Sequence, residues 1–124
     1  MIKKLILVFI LTIIYSCQSN NLENNIAIVI HGGAGTILKE NMTPELESEY
    51  IAKLEEAVKT GFEILKNGGS SKLAVEESIK IMENSPLFNA GIGAVLTNNE
   101  TVSLDASYME GANLNAGAIA GSKY

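Results

Sequence analysis

The residues of this 124-residue sequence that could do chemistry lie in two glycine-rich segments and one short polar stretch. The first segment is His31-Gly32-Gly33-Ala34-Gly35. Its glycines would let the backbone approach a phosphate, but it lacks the Lys-Ser/Thr pair of a P-loop and the spacing of a dinucleotide fingerprint. We therefore expect this segment to serve packing, with His31 buried and hydrogen-bonded at the end of a strand.

The second glycine-rich segment, residues 85–93, has the sequence SPLFNAGIG. Pro86 fixes the backbone where the loop begins, Phe88 anchors an otherwise polar turn, and the two glycines permit angles that other residues resist. Such a loop can turn main-chain carbonyls inward to coordinate a hard cation, which needs oxygen ligands rather than special side chains. The same composition also occurs in purely structural connections, so the residues alone leave both interpretations open.

The polar stretch contains Asp105 and Ser107, which together with His31 would supply the residue types of a hydrolytic triad. Ser107 is not in a nucleophile-elbow context, so the sequence does not favour that arrangement. Cys17 is the single cysteine, which excludes an internal disulfide framework and a CxxC site. A single histidine excludes a His-based metal cluster, and a net charge of -5 without clustered Lys or Arg argues against nucleic-acid binding.

The first 25 residues have the pattern of an export signal and a tether. Two lysines precede an apolar run at 5–14, which is well short of the roughly 20 residues that a membrane-spanning helix needs. Residues 1–16 are therefore predicted to be a signal peptide, and the following Cys17 resembles the lipidated cysteine of bacterial lipoproteins. An ordinary signal peptide with an incidental cysteine is the alternative. Residues 17–25 then form a polar, lipidated tether, and the protein is expected to be exported and to face the periplasm or the cell surface.

The apolar pattern of residues 26–124 predicts one domain, in which a strand and two helices come first. The β-branched run at 26–30 predicts a strand buried on both faces. Thr43 is expected to cap a first helix that ends at Gly68-Gly69. Ser70 or Ser71 caps a second helix, which Pro86 stops. The apolar residues at helical spacing, and hence the expected buried faces, are Leu46, Ile51, Leu54, Val58, Phe62 and Leu65 in the first helix and Ala74, Val75, Ile79 and Met82 in the second.

The remaining residues predict strands. Residues 95–97 and 101–104 flank a turn-rich Asn98-Asn99-Glu100 and predict a β-hairpin, whose second strand continues through 105–109. Residues 115–120 begin a further strand of small side chains. The order of strand, two helices, hairpin and strand predicts an α/β layered fold that needs more sheet and a second helical layer to close.

Several motifs together resemble the start of the α subunit of plant-type asparaginases, also called isoaspartyl peptidases, which are N-terminal nucleophile hydrolases. In order along the chain they are His31-Gly32-Gly33-Ala34-Gly35, Gly68-Gly69-Ser70, residues 86–95 (PLFNAGIGAV), Leu104-Asp105-Ala106, Met109-Glu110-Gly111 and residues 116–121 (AGAIAG). The resemblance runs from about Ile26 to Gly121. The related glycosylasparaginases share this layout, but the residues of the first motif and of the Phe88-Asn89-Ala90-Gly91 motif resemble the asparaginase branch more closely.

The resemblance implies part of a four-layer αββα sandwich, made by a precursor that cuts itself into α and β chains. The N-terminal threonine of the β chain would be the nucleophile and would attack the side-chain amide of asparagine or the isopeptide bond of a β-aspartyl dipeptide. No catalytic residue lies in this chain, because that threonine would lie beyond Tyr124. The implied partners are the chain's own β subunit, a second copy in an (αβ)₂ assembly, and the membrane through the lipid anchor.

The resemblance also implies a supporting role for the loop at 85–93. Asn89 matches the residue that lies nearest the nucleophile from the α side and orients active-site groups. No organic cofactor is implied, but a structural sodium ion is, bound through main-chain carbonyls. The implied ligands are the carbonyls of Met82, Glu83, Ser85, Phe88, Ala90 and Ile92.

Two function hypotheses follow for a sequence that breaks off just after a small-residue strand. The first is that the sequence is the N-terminal fragment of a lipid-anchored amidohydrolase, either asparaginase-like or glycosylasparaginase-like. The second is that it is an inactive lipoprotein remnant or a binding module. The first is favoured, and the fragment by itself is expected to be inactive and poorly soluble because a sheet edge and an apolar face would lack partners.

Overall fold

A computed structural model describes residues 26–34 and 38–123 of the chain. These residues form helices α1 (Pro44–Lys66) and α2 (Ser71–Glu83), followed by strands β1 (Leu104–Met109) and β2 (Ala116–Ser122). Short 3-10 turns lie at Lys39–Asn41 and Gly91–Gly93. The predicted α/β class is confirmed. The signal peptide at 1–16, the tether at 17–25 with Cys17, and Gly35 all lie outside the described residues.

Both helices begin and end where the sequence predicts. The Thr43 hydroxyl accepts a hydrogen bond from Leu46 N at 3.2 Å at the start of α1, and the Ser70 hydroxyl accepts one from Leu73 N at 3.2 Å at the start of α2. These bonds satisfy backbone N–H groups that have no partner within the helix. Within the described residues, no helix is both long enough and apolar enough to cross a membrane.

The two helices pack through small residues rather than through the large apolar residues of the predicted faces. Ala57 and Gly61 of α1 and Ala74 and Ser78 of α2 are the buried helix residues. A Cβ atom at Gly61 would lie 3.1 Å from the Ala74 carbonyl oxygen, and Ser78 Oγ donates to the Ala57 carbonyl at 2.9 Å. The predicted buried faces were therefore wrong in part. Apolar periodicity picks out bulky residues, whereas the contact between these helices depends on small residues that let the two backbones come close. The larger residues that stay substantially exposed are Ile51, Phe62, Val75 and Ile79.

The predicted strand at 26–30 lies against the helix pair but is not hydrogen-bonded as a strand to any described residues. Its residues alternate between half-buried and exposed positions, so burial on both faces was wrong. Ile28 packs against α1, where its side chain lies over Gly61, whereas Val29 is 91% exposed. A strand needs a neighbouring strand for its backbone hydrogen bonds, and no described residues pair with this segment.

Strands β1 and β2 form an antiparallel hairpin in which Tyr108 pairs with Gly117 and Ala106 with Ile119. The register shifts between Leu104 and Ala106, and there the Asp105 carboxylate accepts a hydrogen bond from Gly121 N at 2.9 Å. The predicted strands at 104–109 and 115–120 are thus confirmed to within a few residues.

The predicted hairpin at 95–104 is confirmed only in its turn. Thr97 N donates to the Thr101 carbonyl at 2.8 Å, and the hydroxyls of these two threonines lie 2.9 Å apart. The flanking residues 95–97 and 101–103 do not form strands. The link between α2 and β1 is therefore a loop closed by a threonine-stabilised turn.

Candidate functional site

The loop at 85–93 follows α2 and is anchored by two of the few buried side chains in the described residues. Ser85 is 3% exposed and Phe88 is 5% exposed. The Ser85 hydroxyl accepts a hydrogen bond from Leu87 N at 3.3 Å, which tightens the turn at its start. A Cβ atom at Gly32 would lie 3.5 Å from the Phe88 ring and 3.2 Å from a methyl of Leu54. Phe88 therefore holds the loop between α1 and the first glycine-rich segment.

Main-chain carbonyl oxygens crowd the 3-10 turn at Gly91–Gly93. The three atoms nearest to a Cβ built at Gly93 are the carbonyl oxygens of Phe88, Pro86 and Ser85, the latter two at 2.9 Å. A Cβ at Gly91 would meet the carbonyl of Glu83, and Gly91 has a φ of 52°. Both positions therefore need glycine, because a side chain would occupy the space onto which these oxygens face.

The structure brings together some of the six carbonyls predicted as sodium ligands. Those of Glu83, Ser85 and Phe88 lie against the turn, and Pro86, which sequence reasoning did not assign, adds a fourth oxygen. The Met82 and Ala90 carbonyls accept hydrogen bonds within the loop, from Ser85 N and Gly93 N respectively, both at 3.1 Å. Ile92 lies on the same turn, with its side chain exposed. The described residues contain no cluster of three His, Cys, Asp or Glu side chains suited to a metal.

Asn89 lies next to this carbonyl cluster and is exposed. Its side-chain oxygen accepts a hydrogen bond from Val95 N at 2.9 Å, which ties the loop to the segment leading toward β1. The residue borders a cleft of about 440 Å³ that is also lined by His31, Gly33 and Tyr50. The side-chain amide nitrogen of Asn89 has no partner among the described residues and so stays available as a donor.

His31 is exposed rather than buried, so that part of the prediction was wrong. Its Nδ1 atom accepts a hydrogen bond from Gly33 N at 3.1 Å, which confirms that the ring is hydrogen-bonded. The disfavoured triad of His31, Asp105 and Ser107 is not assembled, because no hydrogen bond joins these three among the described residues: His31 Nδ1 accepts from Gly33 N and the Asp105 carboxylate accepts from Gly121 N.

Among the described residues, the ion pairs lie on or next to the two helices, and none involves the loop at 85–93. Lys80 donates to Glu76 at 2.8 Å, and this hydrogen bond, followed by charge attraction, lowers the pKa of Glu76 and raises the pKa of Lys80. Lys59 lowers the pKa of Glu55 in the same way. These pairs are solvent-exposed and stabilise the helices only weakly.

Comparison with known proteins finds a family match that covers all of the described residues. The family model described as asparaginase matches residues 24–123. The chain belongs to the asparaginase family. The predicted resemblance to plant-type asparaginases and isoaspartyl peptidases is confirmed.

Individual members of the asparaginase family are about half identical to this chain. It is 51% identical over 96 residues to a plant-type L-asparaginase of Pyrococcus furiosus, covering 77% of this chain and 30% of the relative. It is 48% identical over 98 residues to an isoaspartyl peptidase of Salmonella typhimurium, covering 79% and 31%. An isoaspartyl peptidase of Escherichia coli is 49% identical over 94 residues, covering 76% and 29%. The chain thus spans about 30% of the length of the curated relatives it matches.

Proposed function

We propose that the gene product is an amidohydrolase that cleaves the side-chain amide of L-asparagine or the isopeptide bond of β-aspartyl dipeptides. This chain would form the N-terminal part of its α subunit. The observation that carries the proposal is the loop at 85–93, where an exposed Asn89 borders a cleft and stands beside a cradle of main-chain carbonyls. The relatives named L-asparaginase and isoaspartyl peptidase support the choice of substrate class.

The chemistry would be performed by a threonine beyond Tyr124, so this chain would contribute no catalytic residue of its own. Self-cleavage of the precursor would free that threonine as the N-terminus of a β chain in a four-layer αββα sandwich. Its hydroxyl would attack the substrate carbonyl while its own amine accepts the proton, and ammonia or an amino acid would leave. Water would then hydrolyse the acyl-enzyme ester and release aspartate.

Asn89 would support this reaction by orienting groups at the active site. Its side-chain oxygen is already used by Val95 N, so the side-chain amide N–H groups are the ones that can face substrate or nucleophile. A fixed donor is effective there because it needs no reorganisation when charge develops.

The carbonyl cradle fits a hard monovalent cation such as sodium. A cation would neutralise the negative potential of oxygens that face the same turn, and it needs no side-chain ligand. Its chemistry would be structural, since it would hold the loop that carries Asn89. The proposed ligands remain the carbonyls of Met82, Glu83, Ser85, Phe88, Ala90 and Ile92.

The remaining proposals concern location and assembly. Export through the signal at 1–16 and lipidation at Cys17 would place the enzyme on a bacterial membrane, facing the periplasm or the cell surface. The chain would pair with its own β subunit, and two such pairs would form an (αβ)₂ assembly.

The first experiment reads the coding DNA past the codon for Tyr124 and expresses the complete reading frame. A frame that continues to a Gly-Thr cleavage site, and a product that releases ammonia from asparagine or aspartate from a β-aspartyl dipeptide, would support the proposal. Release of aspartate from a glycosylated asparagine alone would indicate the glycosylasparaginase-like alternative. An immediate stop codon would leave an inactive, membrane-tethered remnant.

The role of Asn89 is tested by comparing two substitutions in that product. Asn89→Asp keeps an oxygen to accept from Val95 N but removes the amide donor, whereas Asn89→Ala removes both. We expect N89D to unfold near the wild-type temperature yet to lose about 10²- to 10³-fold in kcat, the typical effect of losing one oriented donor. Asn98→Asp, the same change in the exposed turn, is the matched control and should leave kcat unchanged. Wild-type kcat in N89D would contradict the role.

A further inference from the structure

Tyr50 of α1 reaches across to the loop and makes two contacts with it. Its hydroxyl donates to the Leu87 carbonyl at 2.6 Å. Its ring packs edge-on against Phe88, with centroids 5.7 Å apart and planes at 86°. The residue is half-buried, so the hydrogen bond is partly shielded from water. This pair of contacts joins the first helix to a loop that lies 37 residues later in the chain.

The Tyr50 hydroxyl binds only one of the four consecutive carbonyls of residues 85–88. The carbonyls of Ser85, Pro86 and Phe88 lie against Gly93, whereas the Leu87 carbonyl between them accepts the Tyr50 hydroxyl. The Leu87 carbonyl thus meets the Tyr50 hydroxyl, whereas the Phe88 carbonyl beside Gly93 accepts a hydrogen bond from Ala90 N at 2.8 Å. Without the hydroxyl, the Leu87 carbonyl would lose its protein donor, and rotation of the adjoining peptide groups would become less costly.

We propose that Tyr50 is a positioning residue of the cation loop. Its hydroxyl holds the Leu87 carbonyl toward α1 and thereby helps to fix the neighbouring carbonyl of Phe88, one of the proposed ligands, in the orientation that binds the cation. This inference rests on the proposed function, which supplies the cation. It goes further than that function because it makes a residue of α1, which is not itself a ligand, responsible for the geometry of the loop.

The test compares Tyr50→Phe with the parent in the full-length gene product. Phenylalanine keeps the ring against Phe88, so the fold is retained and only the hydroxyl is lost. The thermal unfolding temperature Tm is measured over a sodium chloride titration, with choline chloride holding the ionic strength constant. We expect Y50F to need about five- to tenfold more sodium than the parent to reach half of the sodium-dependent rise in Tm, because one hydrogen bond contributes about 1 kcal/mol.

Tyr108→Phe is the matched control, because Tyr108 is also half-buried and its hydroxyl has no partner among the described residues. It should titrate like the parent. A Y50F midpoint equal to that of the parent, with Tm lowered equally at every sodium concentration, would overturn the inference, since the bond would then be merely structural. A parent Tm that responds equally to sodium and choline would also overturn it.

Hydrolysis of asparagine and of a β-aspartyl dipeptide is assayed on the same samples. A shifted sodium midpoint in Y50F with no hydrolysis by any variant would overturn the proposed function and support the role of Tyr50. Hydrolysis by the parent, together with an unshifted sodium midpoint in Y50F, would support the proposed function and overturn the role of Tyr50.

Discussion

The helix pair with its loop and the β-hairpin differ in what covers them. The helices meet through Ala57 and Ala74, and Phe88 packs against Tyr50 of α1, so these three buried residues are covered by other parts of the same chain. In the hairpin every position is exposed or half-buried, and Met109 and Ile119 are 59% and 62% exposed. The candidate site lies on the first region. Its loop geometry is therefore defined by contacts within this chain, whereas no described residues bury the faces of the hairpin.

The largest expected loss of stability comes from removing the Phe88 ring. Phe88→Ala in the full-length product should lower the free energy of unfolding by about 3–5 kcal/mol, because it removes a buried aromatic side chain and leaves a cavity. Phe88→Leu fills part of that cavity and should cost about half as much. Chemical denaturation of both variants measures the difference. Equal, small losses would show that the loop is held by something other than Phe88.

The second effect concerns the hairpin and depends on its surroundings. Ile119→Ser in the full-length product should cost about 1.5–3 kcal/mol, because the proposed sandwich would cover this side chain. In the isolated chain the same change should instead raise solubility, since the side chain is exposed there. Denaturation of the full-length product and sedimentation of the isolated chain measure the two effects. A neutral effect in the full-length product would mean that the hairpin face stays uncovered.

The smallest effect is expected at the surface ion pair of α2. The pKa of Glu76 is lowered by Lys80, so the pair stabilises the folded state above the unfolded pKa of about 4.5 and loses that contribution as the pH falls through the lower folded value. Glu76→Gln should therefore lower Tm slightly at pH 7, this difference should shrink as the pH falls below about 4.5, and added salt should reduce it as well. Glu49→Gln, which removes a carboxylate without an ion pair among the described residues, is the control. A large loss at pH 7 that does not decrease as the pH is lowered would contradict this assignment.

Local signals in the sequence predicted the helices and the small strands well. Thr43, Ser70 and Gly68-Gly69 define helix ends through hydrogen bonds to nearby backbone, so the prediction needed no distant contact. The predicted buried faces failed because helix packing was decided by small residues such as Gly61, which carry little periodic signal. The strand at 26–30 failed because pairing depends on a partner strand, which the local sequence does not specify.

The candidate site was predicted in part. The glycines and Phe88 of the loop marked it as unusual, and the family resemblance named its carbonyls and Asn89. Tyr50 was missed because its contact with Leu87 joins distant parts of the chain. Tyr50 lies four residues from both Leu46 and Leu54 on α1, and this spacing indicates only that it shares their helix face, not that its hydroxyl reaches a partner outside the helix. The Pro86 carbonyl was missed because backbone oxygens leave no trace in residue type.

The most direct test of the central claim is the intact mass and N-terminal sequence of the mature protein purified from its own cells. The account predicts two chains, one containing residues 26–124 and a second that begins with threonine, together with hydrolysis of asparagine or a β-aspartyl dipeptide. A single uncut chain, folded and without hydrolase activity, would contradict it.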